Sequence, residues 1–98
     1  MTRDKDLIIV GGNTSGQLAA VLEVLKSLDT FNVVGFIDKE VSSDIEYHGE
    51  VIPYLGSSEN LETMNLPDCN FHIAVGDNYA RSLIMKRLVN LNKNLTTL

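Results

Sequence analysis

Asp6 to Lys26 reads DLIIVGGNTSGQLAAVLEVLK, and after a short gap Asn32 to Lys39 reads NVVGFIDK. An apolar run as continuous as Leu7 to Val10 fits a central strand of a parallel sheet covered by helices on both faces. Leu18, Val21, Leu22, Leu25 and Leu28 recur at helical spacing, which predicts a helix from near Ser15 or Gly16 to about Leu28, with Glu23 and Lys26 on its other side. Asn32 to Ile37, rich in β-branched and aromatic residues, is the second strand, and Asp38 stands at its carboxyl end. Strand, glycine turn, helix, strand and terminal acid form the front half of a nucleotide-binding βαβ unit. In such a unit the turn meets phosphates and the acid meets a ribose or base.

Asp38 to Gly49 is polar, with a turn at His48-Gly49, and reads as a loop long enough to be a ligand flap. Pro53 lacks a ladder donor, so Val51 to Leu55 is expected as at best a short edge strand or an extended link. Ser57 or Ser58 can cap a short helix to about Met64, with Glu59 and Glu62 complementing its dipole. Phe71 to Val75 is the third strand, and Gly76-Asp77-Asn78 is a tight turn that repeats the geometry of the first. The next helix, Tyr79 to Asn90, is expected to bury Ala80, Leu83, Ile84, Leu88 and Leu91. Leu95 to Leu98 begins a fourth strand. The order predicts an α/β fold: a small Rossmann-like parallel sheet of about four strands flanked by helices, one domain over residues 1–98. A chain that reaches its last residue in a strand is expected to be part of a longer protein.

Ninety-eight residues suffice for one modest core, burying roughly 65% of the unfolded chain's surface. An apolar fraction of 44% with 21% charged residues is that of a globular protein, and no apolar run is long enough to span a bilayer. Met1 to Asp6 carries charges and no apolar stretch of the secretory kind, and the single Cys69 cannot form an internal disulfide; both point to the cytoplasm. The sequons at Asn13 and Asn94 are then chance matches. A net charge of -5 without a basic cluster argues against nucleic acid as a partner. A small phosphorylated ligand stays compatible, because backbone amides and a helix N-terminus bind phosphate without lysine.

In the first turn, Gly11 and Gly16 take the first and third glycine positions of the dinucleotide fingerprint, and Asn13 replaces the second. Asn tolerates left-handed conformations, so the turn can form, its side chain either moving aside or donating to the phosphate. Packing alone is the other reason for such a turn. Asp38 lies 22 residues after Gly16, where an acid accepts from ribose hydroxyls; the alternative is a solvated residue after a strand. Lys39 is either a phosphate or base contact or an exposed lysine, Asp77 a ligand-side acid or a helix cap, and Arg81 a phosphate contact or a solvent-facing residue. His72 reads as a packed histidine and His48 as a turn residue. Neither pairs with Cys69 at a metal-like spacing, so no metal site is expected. Ser15 fits an N-cap better than a nucleophile, since the Gly-x-Ser-x-Gly elbow is absent. No catalytic residue is assigned.

IIVGGNTSG at Ile8 to Gly16, VVGFIDK at Val33 to Lys39, IPYLGSSENL at Ile52 to Leu61 and AVGDNYAR at Ala74 to Arg81 together resemble the N-terminal nucleotide-sugar-binding domain of bacterial hexapeptide-repeat sugar acyltransferases, the sialic-acid O-acetyltransferase and bacillosamine-pathway N-acetyltransferase group. The resemblance runs from about Lys5 to Leu98. It implies phosphate contacts at Gly11, Asn13, Thr14 and Ser15, a uridine end at Asp38 and Lys39, and a sugar side at Gly76 and Asn78. The family's first turn usually reads Gly-small-Gly-Gly-His-Gly; here Asn13 and Thr14 stand where glycines are usual and Ser15 where the histidine is usual. It further implies that this chain binds a UDP-linked sugar without catalysing alone. Acetyl-CoA and the catalytic histidine belong to a C-terminal left-handed β-helix, which also builds a trimer. Two other readings stay open: a regulatory module that binds NAD or another dinucleotide, and a stand-alone association domain.

Overall fold

A computed structural model of the chain describes residues 5–12, 17–28, 31–40 and 43–96. Chain order gives β1 (Asp6–Val10), α1 (Gln17–Leu28), β2 (Asn32–Asp38), β3 (Ile45–Tyr47), β4 (Glu50–Ile52), β5 (Tyr54–Ser57), a single 3-10 turn (Ser58–Asn60), β6 (Asn70–Ile73), α2 (Asn78–Asn90) and β7 (Asn94–Leu95). The main sheet is parallel, five strands in the order β5-β2-β1-β6-β7. The chain moves outward from β1 to one side, then returns to build the other side, so the order reverses between β1 and β6. That is the switch point at which open α/β sheets leave a crevice at the strands' carboxyl ends.

β1 alternates between two cores. Leu7 and Ile9 face Leu18, Leu22 and Leu25 of α1 together with Phe36 and Ile52. Ile8 and Val10 face Leu88 of α2 with Ile37, Leu61, Cys69 and Phe71. The continuous apolar run of β1 exists because both faces of a central strand are covered.

Three sequence expectations are corrected. The stretch from Asp38 to Gly49 is not a plain loop or flap: Ile45–Tyr47 pairs antiparallel with Glu50–Ile52 across His48-Gly49. Both turn residues have positive φ, 51° and 82°, as the commonest two-residue hairpin requires. At Pro53 the chain leaves the hairpin and joins the main sheet as β5, the short edge strand expected there, which brings the sheet to five strands among the described residues; the Pro53 carbonyl accepts from the Phe36 N–H at 2.9 Å. The helix expected to about Met64 stops after one 3-10 turn, capped by the Ser57 hydroxyl, which accepts from the Glu59 N–H. Leu83 is 42% exposed rather than buried, because Leu88 centres the inward face of α2 with Ala80, Ile84 and Leu91 beside it. Leu28's side chain and residues 97–98 of the expected last strand lie outside the described residues.

Two polar contacts tie the layers together. The Tyr47 hydroxyl donates to Glu23 Oε1 and His48 Nε2 lies 3.3 Å from it, which clasps the hairpin to α1. These bonds hold the Glu23 carboxyl below its usual range, while partial burial and the carboxylate push the Tyr47 phenol up to about 12. On the other face Arg87 of α2 makes a two-pronged pair with Glu62, Nε to Oε2 at 2.7 Å and Nη2 to Oε1 at 2.6 Å, and donates to the Glu59 carbonyl at 3.0 Å. Arg87 thereby pulls the Glu62 carboxyl down to about 2 from 4.5. A lowered folded-state pKa means stability that is present above pH 4.5 and is lost as pH falls toward 2. Urea unfolding of wild type and Glu62→Gln should therefore show a gap at pH 7 that narrows below pH 4.5 and closes near pH 2. A gap that persists at the lowest pH would contradict this role for the pair.

Candidate functional site at the carboxyl ends of β1, β2 and β6

The turn after β1 is built so that only glycine fits. Gly11 and Gly12 have φ of +84° and +94°, a region costly for residues with a Cβ. A Cβ on Gly11 would meet Val75 Cγ2 at 2.5 Å, and one on Gly12 would meet the Leu18 backbone nitrogen at 2.8 Å and Ala74 Cβ at 3.1 Å. The turn is thus pressed between the start of α1 and the chain that leaves β6. Backbone bonds fix it there: Gly11 N–H donates to the Ile37 carbonyl at 2.6 Å, Leu18 N–H to the Gly12 carbonyl at 3.0 Å, and Ala74 N–H to the Val10 carbonyl at 2.8 Å.

The bond from Gly11 to Ile37 sets the turn one residue from Asp38. Asp38 is only 5% exposed, so it is not the solvated strand end that was the alternative reading, and a buried carboxylate has to be matched by donors. One is the Glu40 N–H, which donates to Oδ1 at 3.4 Å. Lys39 is exposed beside it, and its carbonyl accepts from the Ser57 hydroxyl at 3.2 Å, joining the ends of β2 and β5.

Gly76 lies in the turn after β6. Asp77 caps α2, its Oδ1 accepting from the Ala80 N–H at 2.9 Å, and Asn78 is the exposed first residue of that helix. Arg81 is exposed, and its N–H closes the first helical turn onto the Asp77 carbonyl. His72 Nδ1 lies 3.0 Å from the Thr96 carbonyl, consistent with a packed histidine.

Of the sequence-predicted residues, Gly11, Asp38 and Lys39 come together at the ends of β1 and β2, and Gly76 and Asn78 lie between the end of β6 and the start of α2. Asn13, Thr14 and Ser15 lie outside the described residues. Two residues of this edge went unassigned by sequence reasoning. Gly12 holds a left-handed position next to Gly11, and Gln17 at the start of α1 reaches Gly76, with Nε2 2.7 Å from the place of its missing Cβ. A run of two glycines after an apolar strand was the available signal for the first; the second had none.

A groove of about 410 Å³ lies elsewhere, near the amino ends of β1 and β2, where Lys5, Lys26, Phe31, Asn32, Tyr47 and His48 are among its walls. It contains none of the candidate residues. Among the described residues there is no cluster of His, Cys, Asp and Glu that could hold a metal ion, and no helix long and apolar enough to cross a membrane.

The fold is similar to the acetyltransferase domain of PglB from Neisseria gonorrhoeae FA1090, solved in complex with acetyl coenzyme A, with a TM-score of 0.64 and 20% identity over 92% of this chain and 41% of that one. The chain therefore spans about two fifths of the length of that relative. No curated protein matches it in sequence. The sequence pattern of the PglD N-terminal domain matches residues 6–88, and the chain belongs to that family.

Proposed function

We propose that this domain binds a nucleotide-activated sugar, with UDP as the nucleotide, and is the N-terminal part of an acetyltransferase that modifies that sugar. The observation that carries the reading is the placing of two glycine turns and Asp38 at the switch point of the sheet, where open α/β sheets bind ligands. Gly11 and Gly12 bring bare backbone to the mouth of β1, Gly76 does the same at β6, and buried Asp38 stands one residue beyond the carbonyl that anchors the first turn. A diphosphate fits against the glycine turn and the N-terminus of α1, where backbone N–H groups and the helix dipole meet its charge. Asp38 and Lys39 then face the uridine end, with Asn13, Thr14 and Ser15 on the phosphates and Gly76 and Asn78 on the sugar.

Binding and catalysis are divided. In this reading acetyl-CoA, the acid-base group and the trimer belong to the rest of a longer protein. Membership of the PglD N-terminal family and the fold shared with an acetyltransferase domain support this division. This domain supplies position: it holds the nucleotide so that the sugar projects toward the acyl donor.

Titration calorimetry of the 98-residue chain with UDP-N-acetylglucosamine, UDP and NAD tests the reading. UDP-N-acetylglucosamine and UDP should bind and NAD should not. Binding of NAD without UDP would make this a dinucleotide-binding regulatory module, and binding of none of the three would favour an association domain.

A further inference from the structure

Gln17 opens α1 directly after the first turn, yet its side chain reports on the second. Its Nε2 lies 2.7 Å, and its Cδ 3.8 Å, from the position a Cβ on Gly76 would take. Gly76 is not among the glycines with positive φ, so its backbone does not by itself call for glycine. What a side chain there would meet is the Gln17 amide. Both residues are exposed, which places their contact at the mouth of the crevice and not in either core.

A carboxamide offers two N–H donors and a carbonyl acceptor, and carries no charge. Ionised partners and helix N-termini are the stronger match for a diphosphate. The neutral hydroxyl and acetamido groups of a sugar need donors and acceptors together, which is what an amide presents. We propose that Gln17 is a specificity-determining residue that reads the sugar of the bound ligand and not its nucleotide, with Gly76 kept bare to leave room for the amide. The inference rests on the nucleotide-sugar reading and assigns to it a residue on the sugar side.

Calorimetry with UDP-N-acetylglucosamine and with UDP, on wild type, Gln17→Ala, Gly76→Ala and the double variant, tests it. Loss of one neutral hydrogen bond should weaken UDP-N-acetylglucosamine about 3- to 10-fold in Gln17→Ala. UDP affinity should not change. Gly76→Ala should displace the amide and lower the same preference, and the double variant should lose less than the two single losses combined, since both act on one contact. The exposed position of both residues predicts unchanged unfolding midpoints, so a binding loss is not a folding loss. Wild type that binds both ligands while Gln17→Ala binds them equally well, or loses both to the same extent, overturns this inference alone. Wild type that binds neither overturns the nucleotide-sugar reading and this inference with it.

Discussion

Gly12→Ala is expected to lower the unfolding free energy by about 2–5 kcal/mol, the sum of two costs. A left-handed backbone with a Cβ costs roughly 1–2 kcal/mol, and Gly12 sits at φ +94°. Overpacking adds about 1–3 kcal/mol, because the new Cβ would stand 2.8 Å from the Leu18 nitrogen, a backbone atom fixed in α1 that cannot swing aside. Against a total of about 5–15 kcal/mol for a domain, this is a large fraction. At about 4–8 °C per kcal/mol the thermal midpoint should fall by roughly 8–40 °C. Gly11→Ala should cost less, since its new Cβ would meet Val75 Cγ2, a side-chain atom that can rotate away. Thermal and urea unfolding followed by circular dichroism checks both. A Gly12→Ala protein as stable as wild type would contradict the tight contact of the turn with α1.

The same turn shows how far sequence reasoning reaches. β1, α1 and β2 were legible because each carries its signal within its own length: a continuous apolar run, leucines at three- and four-residue spacing, and a β-branched run that ends on an acid. The hairpin was not, because IEY and EVI are three residues each, too short to show alternation. Its signal lay in the His48-Gly49 turn, where histidine stands in place of the usual Asn or Asp. Ser57 does cap the 3-10 turn, and in the sequence that cap reads as the start of a longer helix. What ends it early is tertiary: Leu61 is drawn into the core below α2 and Glu62 is held by Arg87.

The site divides in the same way. Asp38 is placed by its spacing from the glycine turn and by its strand, both properties of the local sequence. Its burial is not: β5 pairs along the end of β2, Asp38 opposite Ser57, and that pairing comes from a strand sixteen residues on that Pro53 had demoted. The fingerprint points to Asn13 as the replaced glycine, and the left-handed positions among the described residues of that turn are Gly11 and Gly12. Gln17 meets Gly76 across 59 positions of sequence, and no pattern at either residue announces a contact of that span.

Asp38→Ala is expected to weaken binding of a UDP-sugar by about 10- to 150-fold. A hydrogen bond to a charged group is worth about 1.5–3 kcal/mol, and each 1.4 kcal/mol is about a decade in affinity. Because Asp38 is 5% exposed and accepts from the Glu40 N–H, alanine also removes a part-buried hydrogen bond, so some stability is lost along with affinity. Asp38→Asn separates the two effects. It keeps the volume and an acceptor oxygen for Glu40 while removing the charge and turning the other oxygen into an NH2 donor, so it should lose less stability than alanine and fall between wild type and alanine in affinity. The ligands carry a second check: a residue at the nucleotide end should weaken UDP and UDP-N-acetylglucosamine by the same factor, the opposite of the pattern expected at Gln17. If UDP binds with unchanged affinity to both folded Asp38 variants, the nucleotide does not meet Asp38, and the ligand must be turned round in the crevice or sit elsewhere on the sheet.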